Sequence, residues 1–248
     1  MSQQGKLNRR GFVKLCASAL AMITASPGVL ARKTGTLQQY QRVKLVDKWD
    51  HPVTVADLKV GENYLFHYPY VSTPCFLLNL GKPTAQQTVL ETKDGKPYVW
   101  QGGVGPQRSV VAFSAICAHK MTHPTQEVNF INYRHKTVNF LNKDKELSAR
   151  SNIIYCCSER SVYDPTQGAR VLGGPAPQPL AAILLEYNEQ TDTLEAVGSY
   201  GGDMFDEYFE IFAFRLRLEY RTSDVEAKLV HTTTVLPLAE YCRNQVLC

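Results

Sequence analysis

The sequence predicts a mainly β protein built around an antiparallel sheet. Short runs rich in Val, Tyr, Phe and Thr are separated by Gly and Pro, and blocks of strong helix formers are few. Two apolar runs, 181–187 and 193–197, flank a polar turn and predict a hairpin. An apolar fraction of 44% over 248 residues is enough for one domain with its own core, plus a tail.

Further strands are expected along the chain before this hairpin. The segment 92–106 is rich in Gly, Pro and Lys, which indicates a hairpin or a loop. The segment 206–221 mixes acidic, aromatic and basic residues, and its periodicity fits a helix and a long strand equally. The runs that we expect to be strands are 64–68, 74–80, 110–116 and 153–155.

The charge balance argues against nucleic acid as a partner. The chain has 27 basic and 23 acidic residues, and no stripe of Lys and Arg alternates with aromatic side chains. A small basic excess of this kind provides no electrostatic footprint for a phosphate backbone.

The first residues have the layout of an export signal. Arg9 and Arg10 precede a run from 15 to 31 that carries no charged residue, and Phe12 follows the arginine pair. This order is typical of a secretory signal, and the arginine pair resembles a twin-arginine signal, a route that exports folded proteins. We therefore expect residues 1–31 to be a cleaved signal or a retained membrane anchor. The protein would then be periplasmic, or periplasm-facing and anchored in the membrane.

The cysteines divide into two groups. Adjacent cysteines bridge each other only with a distorted peptide, so the pair Cys156-Cys157 does not fit a simple disulfide framework. We assign Cys117, Cys156 and, as an alternative, Cys157 to a metal site. The remaining candidates for structural roles, including disulfide bonds, are Cys75, Cys242 and Cys248.

Two loops carry residues with metal-binding chemistry. Cys117 and His119 follow one predicted strand, and Cys156 follows another. A thiolate holds iron through a covalent bond, while a neutral imidazole raises the reduction potential relative to a site with thiolates alone. A small β domain can close around a cluster when two strand ends each contribute one such loop.

The two loops resemble the two boxes of Rieske iron–sulfur proteins, of the cytochrome bc-complex and arsenite oxidase small-subunit type. The first box is Ala-Phe-Ser-Ala-Ile-Cys117-Ala-His119, and the second runs from Cys156 through Ser161-Val-Tyr163-Asp to Gly174-Pro175-Ala-Pro. The resemblance covers about residues 53–200. It implies a Rieske-like antiparallel β domain with an inserted two-loop cluster-binding subdomain, and a [2Fe–2S] cluster as cofactor.

The changes in composition along the chain also predict a domain organisation. Residues 32–52 are expected to be a linker, 53–202 the Rieske-like domain, and 203–248 a C-terminal extension packed on it.

Site residues follow from the resemblance position by position. Cys117, His119 and Cys156 match cluster ligands. Ser161 and Tyr163 match residues that donate hydrogen bonds to a cluster sulfide and a ligand thiolate, although both also suit an ordinary turn. Gly174 and Pro175 belong to a rigid loop that, in the family, covers the cluster.

The second box departs from the family pattern at the fourth ligand. Aligned on Ser161, Glu159 stands where the family has a ligand histidine, and Arg160 stands where it has glycine. The two cysteines that often tie the loops together fall on Thr122 and Ser158. The fourth ligand is therefore open between Glu159, Cys157 and His123, and loss of the cluster is the remaining alternative.

The function implied is a one-electron relay in a redox subunit of an oxidoreductase complex, and not a stand-alone catalyst. Its partners would be a cytochrome, a larger oxidoreductase subunit or quinol, with membrane association through the N-terminal segment. Two alternatives stay open. One is a Rieske-fold docking subunit without a cluster, and the other is a mononuclear zinc protein that uses Cys117, His119, Cys156 and either Cys157 or Glu159.

Overall fold

Strands dominate the computed structural model, which describes residues 37–202 and 204–248. In chain order the elements are β1 (Leu37–Val46), β2 (Tyr64–His67), β3 (Pro74–Asn79), β4 (Thr88–Glu91), β5 (Pro97–Trp100), β6 (Val110–Ser114), β7 (Val128–Asn129), β8 (Ile131–Arg134), β9 (Val138–Leu141), β10 (Leu147–Arg150), β11 (Ile153–Cys156), β12 (Ser161–Asp164), β13 (Arg170–Gly173), β14 (Ala182–Asn188), β15 (Thr193–Tyr200), α1 (Met204–Tyr220), β16 (His231–Thr234), β17 (Leu236–Pro237), α2 (Leu238–Tyr241) and β18 (Asn244–Gln245). The prediction of a mainly β fold is confirmed.

The largest sheet has eight strands in the order β16-β1-β15-β14-β6-β3-β2-β17. Its neighbours are antiparallel except for the parallel pair of β1 and β16. The expected hairpin is present as β14 and β15, which pair from Ala182↔Tyr200 to Asn188↔Thr193. The segment 92–106 contributes β5, which forms a two-stranded hairpin with β4.

A second sheet forms the inserted subdomain that the sequence predicts. Its four strands have the order β13-β12-β11-β8, and they lie between β6 and β14 in the chain. One buried cluster of apolar side chains joins the two sheets: Phe113 and Ala182 come from the large sheet, and Ile131, Ile154 and Tyr163 come from the small one. This shared core fixes the end of β6 against the turn between β11 and β12.

The segment expected to be a linker contains a strand of the main sheet. β1 lies between β15 and β16, and its residues Val43 and Leu45 are fully buried. The strand replaces a large part of the polar linker expected over 32–52. Only the last residues of β1 bury their side chains, so the polar first half of the strand hides the pattern in the sequence.

The residues after 202 complete the domain. β16 pairs with β1 and β17 pairs with β2, so this segment supplies both edges of the main sheet. Residues 206–221, whose periodicity fitted a helix and a strand equally, lie almost entirely in the helix α1. The helix buries one stripe of side chains: Met204, Phe205, Tyr208, Phe209 and Leu216.

No helix in the described ranges, 37–202 and 204–248, is long and apolar enough to cross a membrane. The proposed signal at Arg9 and Arg10 and the apolar run 15–31 lie outside the described residues.

Candidate metal centre

The first loop begins where β6 leaves the main sheet. Cys117 follows β6 by three residues and closes a turn with hydrogen bonds at both ends. Its N–H donates to the carbonyl of Thr122 at 2.8 Å, and its carbonyl accepts from the N–H of Met121 at 3.0 Å. The turn therefore fixes the backbone between Cys117 and Met121, which includes His119.

The second loop is the tight turn between β11 and β12. Cys156 ends β11 and lies opposite Ser161, the first residue of β12. Arg160 in this turn has a φ of +59°. That left-handed conformation costs glycine little but costs other residues roughly 1 kcal/mol, which explains why the Rieske pattern has glycine there.

The two loops bring Cys117 and Cys156 together in the core, and both side chains are buried. A hydrogen bond from the Cys156 thiol is the main reason that the pKa of Cys117 falls to about 6. The same contact, together with burial, raises the pKa of Cys156. The pair therefore holds one thiolate readily, and Cys117 and Cys156 would both be stabilised as thiolates by bound iron.

Backbone and side-chain donors surround the sulfur of Cys117. The Tyr163 hydroxyl lies 3.2 Å from the Cys117 Sγ and accepts from the Ala118 N–H at 3.2 Å. With Cys117 as a thiolate, which has no proton to give, the hydroxyl is the donor of this pair. The N–H of His119 also faces this sulfur, and the N–H groups of Ser158 and Glu159 face that of Cys156. Burial beside Cys117 raises the pKa of Tyr163, which keeps its hydroxyl protonated as a donor.

Two buried polar atoms near the pair have no hydrogen-bond partner. They are the Ser161 Oγ and the His119 Nδ1, although the Ser161 hydroxyl lies close enough to Cys117 to lower the pKa of that thiol. An unpaired buried polar group costs about 1–3 kcal/mol, and a bound acceptor or metal would relieve that cost. Cys117, Cys156 and His119 thus fit as donors to a [2Fe–2S] cluster, with Ser161 fitting as a hydrogen-bond donor to it.

Glu159 lies at the surface of the second loop. Its Oε1 accepts a hydrogen bond from the Lys120 Nζ at 2.8 Å, and this ion pair lowers the pKa of the carboxyl. A carboxylate is a ligand that ferric iron accepts, but binding iron would require Glu159 to share or release Lys120. Within residues 37–202 and 204–248, no three His, Cys, Asp or Glu side chains converge as a metal site.

Of the two other candidates for the fourth ligand, Cys157 is engaged elsewhere, whereas His123 keeps a buried Nε2 without a hydrogen-bond partner. Cys157 forms a disulfide with Cys248. His123 is buried, its Nδ1 lies 2.9 Å from the carbonyl of Met121, and its ring packs edge-on against Tyr208 and Phe212 of α1. Of the cysteines considered structural, Cys75 and Cys242 are free and buried.

Gly174 brings the proline loop against the second box. Its φ is +78°, and a Cβ at this position would lie 2.3 Å from the Arg160 carbonyl oxygen and 2.6 Å from the Ser161 Cα. Pro175 is exposed in the same loop. The contact supports the turn that carries Cys156, and the covering role of Pro175 stays a prediction.

Replacing Gly174 by alanine should lower the free energy of unfolding by about 2–4 kcal/mol. The new Cβ would force neighbouring backbone atoms to move, and the alanine would also have to adopt a strained, positive φ. Gly95 is the matched control, since its φ is +72° and nothing lies within 4 Å of its Cβ position. Gly95→Ala should cost only about 1 kcal/mol. Urea unfolding of both variants measures the difference, and equal losses would contradict a close approach at Gly174.

The mainly β fold, the paired cysteine loops and the Tyr163 hydrogen bond together match the Rieske pattern. The chain is Rieske-like. Two curated relatives cover about four fifths of the chain. The chain is 28% identical over 196 residues to the iodate reductase subunit IdrB of Denitromonas iodatirespirans, covering 79% of this chain and 82% of that relative. It is 24% identical over 196 residues to the IdrB of Pseudomonas sp. strain SCT, covering 79% and 80%.

Among solved structures, the soluble domain of Rieske protein II from Sulfolobus acidocaldarius matches with a TM-score of 0.42 and 24% identity, over 64% of this chain and 78% of that one. No family model matches the chain.

Two partners of the Rieske-like site were not predicted from the sequence. Lys120, which pairs with Glu159, lies 39 positions before it, so no local spacing indicates the pair. The bond between Cys157 and Cys248 spans 91 residues, and no spacing rule indicates it.

Proposed function

We propose that this chain is the electron-transfer subunit of an oxidoreductase and relays single electrons through a [2Fe–2S] cluster. Cys117, Cys156, His119 and Glu159 would hold the cluster, which would supply a one-electron redox step at the end of the two loops. The observation that carries the proposal is the buried pair of Cys117 and Cys156 with the Tyr163 hydroxyl on one sulfur.

The protein's own groups set how easily the site accepts an electron. The Tyr163 hydroxyl and the N–H of His119 donate towards Cys117, and two backbone N–H groups donate towards Cys156. Such hydrogen bonds stabilise the more negative, reduced state and therefore raise the potential. The shared core around the loops excludes water from both thiolates, while His119 is only half-buried and is the natural point of electron exit.

The partner proposed is the catalytic subunit of a reductase. Two relatives that match about four fifths of this chain are reductase subunits by name. A cytochrome or quinol as the second redox partner stays a prediction.

We propose further that the protein is exported to the periplasm by the twin-arginine route, either free or anchored. The Cys157–Cys248 disulfide supports this location, since structural disulfides persist in oxidising compartments. Replacing Arg9 and Arg10 by lysine should reduce the exported fraction at least about tenfold, because that route reads the arginine pair. Cell fractionation with immunoblotting measures it, and undiminished export would rule out the twin-arginine signal.

The decisive experiment for the redox function is EPR spectroscopy of the protein purified without air and reduced with dithionite. We expect a red-brown protein with about two irons and two acid-labile sulfides per chain and a Rieske-type signal after reduction. A colourless zinc protein would support the mononuclear alternative, and a folded protein without metal would support the docking subunit. Either result would overturn the proposed electron relay.

A further inference from the structure

The two loops of the site are not joined to each other by a disulfide. The positions that carry the loop-tying cysteines in the Rieske pattern are Thr122 and Ser158 in this chain. The second loop is instead bonded through Cys157 to Cys248, a residue of the segment 243–248. We call this segment the strap.

The strap is held by backbone pairing independently of the disulfide. Its strand β18 runs parallel to β7, pairing Asn244 with Val128. The N–H of Val246 donates to the carbonyl of Asn129 at 2.8 Å. The Nδ2 of Asn132 in β8 donates to the carbonyl of Val246 at 3.0 Å. The strap therefore lies along the strands that precede β11, and β8 pairs directly with β11 up to Cys156.

The far end of the strap reaches the turn that carries the ligand. Arg134 Nη1 donates to the Cys248 carbonyl at 3.0 Å, and the Cys248 N–H lies 3.0 Å from the Cys157 Sγ. On its other side, Cys157 donates its own N–H to the carbonyl of Phe130 at 2.7 Å. The residue next to Cys156 is thus fixed from two directions by groups outside the turn.

We propose that the strap and its disulfide replace the missing loop-to-loop bridge and position the second loop for Cys156. Cys157 and Cys248 are positioning residues in this role, not ligands. The proposal rests on the proposed function only in the experiment that measures a bound cluster. Without the bridge, the short turn with its strained Arg160 would keep the pairing of β11 with β8 and β12, the Phe130 hydrogen bond, the contact from Gly174 and the half-exposed ion pair of Glu159 with Lys120.

The bridge can be opened without mutation by a dithiol such as dithiothreitol. The dithiol loses two electrons and two protons and forms its own disulfide, while the Cys157–Cys248 bond breaks and each sulfur becomes a thiol. The turn then loses its link to the strap, but the hydrogen bonds of β18 remain.

The first test measures the rate of iron release from the loaded protein to an excess of chelator. Cys157→Ser, Cys248→Ser, the double variant and the dithiol-treated wild type should all release iron about tenfold faster than untreated wild type, since outer-shell supports typically change metal affinity by 10–100-fold. The four should be alike, because each removes the same bond. Cys75→Ser is the control and should match wild type, as serine can keep the hydrogen bond from Cys75 to the Tyr68 carbonyl.

Two results would overturn the positioning role proposed for the strap. Loss of the cluster in Cys157→Ser but not in Cys248→Ser would make Cys157 a ligand. Wild-type release in both variants would leave the bridge without a positioning role.

A second readout separates this proposal from the proposed function. Hydrogen exchange of the amides 157–160 in the metal-free protein should be about tenfold faster in Cys248→Ser than in wild type, since the turn would open locally more often. Absence of a cluster in wild type would refute the electron relay and leave this measurement intact. Unchanged hydrogen exchange in Cys248→Ser would refute the positioning role of the strap and would not affect the proposed electron relay.

Discussion

Replacing either Cys117 or Cys156 by serine should abolish bound iron. Each thiol is buried and faces the other, and backbone N–H groups point to both sulfurs. A serine hydroxyl does not ionise near neutral pH and binds iron poorly, so we expect residual iron below about one tenth of the wild-type content in each variant. Iron and acid-labile sulfide are counted per chain after purification without air.

Cys242→Ser is the matched control for these two variants. Cys242 is also a buried free thiol, and its Sγ donates to the Asn244 carbonyl at 3.3 Å, a hydrogen bond that serine can keep. This variant should retain a full cluster. The reverse outcome, with iron lost in Cys242→Ser and kept in Cys156→Ser, would show that the ligands are assigned to the wrong cysteines.

Substituting Glu159 by histidine should raise the reduction potential and steepen its dependence on pH. A carboxylate adds a negative charge that disfavours the reduced state, whereas a neutral imidazole does not. With His119 as the only imidazole ligand, oxidation releases at most one proton, and the potential falls by up to about 59 mV per pH unit above neutrality. Two imidazoles would allow a slope approaching about 118 mV per pH unit. Protein-film voltammetry from about pH 5 to 10 measures both quantities.

Lys120 provides a second way to test the same site. Its ammonium group lies 2.8 Å from the Glu159 carboxylate and offsets part of that charge. Lys120→Gln should therefore lower the potential, and Glu159→Ala should weaken or lose the cluster. Glu189→Ala, which removes an exposed carboxylate from the turn between β14 and β15, should change neither the potential nor the iron content. A full cluster with unchanged potential in Glu159→Ala would exclude Glu159 as a ligand.

Most of the strands around the site could be predicted from local patterns. The runs before Cys117 and Cys156 form β6 and β11. They could be predicted because a buried strand appears in the sequence as a short, continuous apolar segment. The strand β1 was not predicted, because most of its first half is partly or fully exposed and shows no apolar pattern. It forms a strand through its pairing with β15 and β16.

The sequence by itself determined which residue types stand in the two loops, and their resemblance to the Rieske boxes predicted the site: a cysteine from each loop, Tyr163 as a donor, and a carboxylate where the Rieske pattern has histidine. These features are residue types at short spacings, which a chain carries whatever its fold. The tertiary structure alone decided that Glu159 pairs with Lys120, that His123 packs against α1, and that Cys157 bonds to Cys248. Each of these contacts joins residues 39 or more positions apart in the chain, so it depends on how the two sheets and the strap pack together and leaves no local pattern to find.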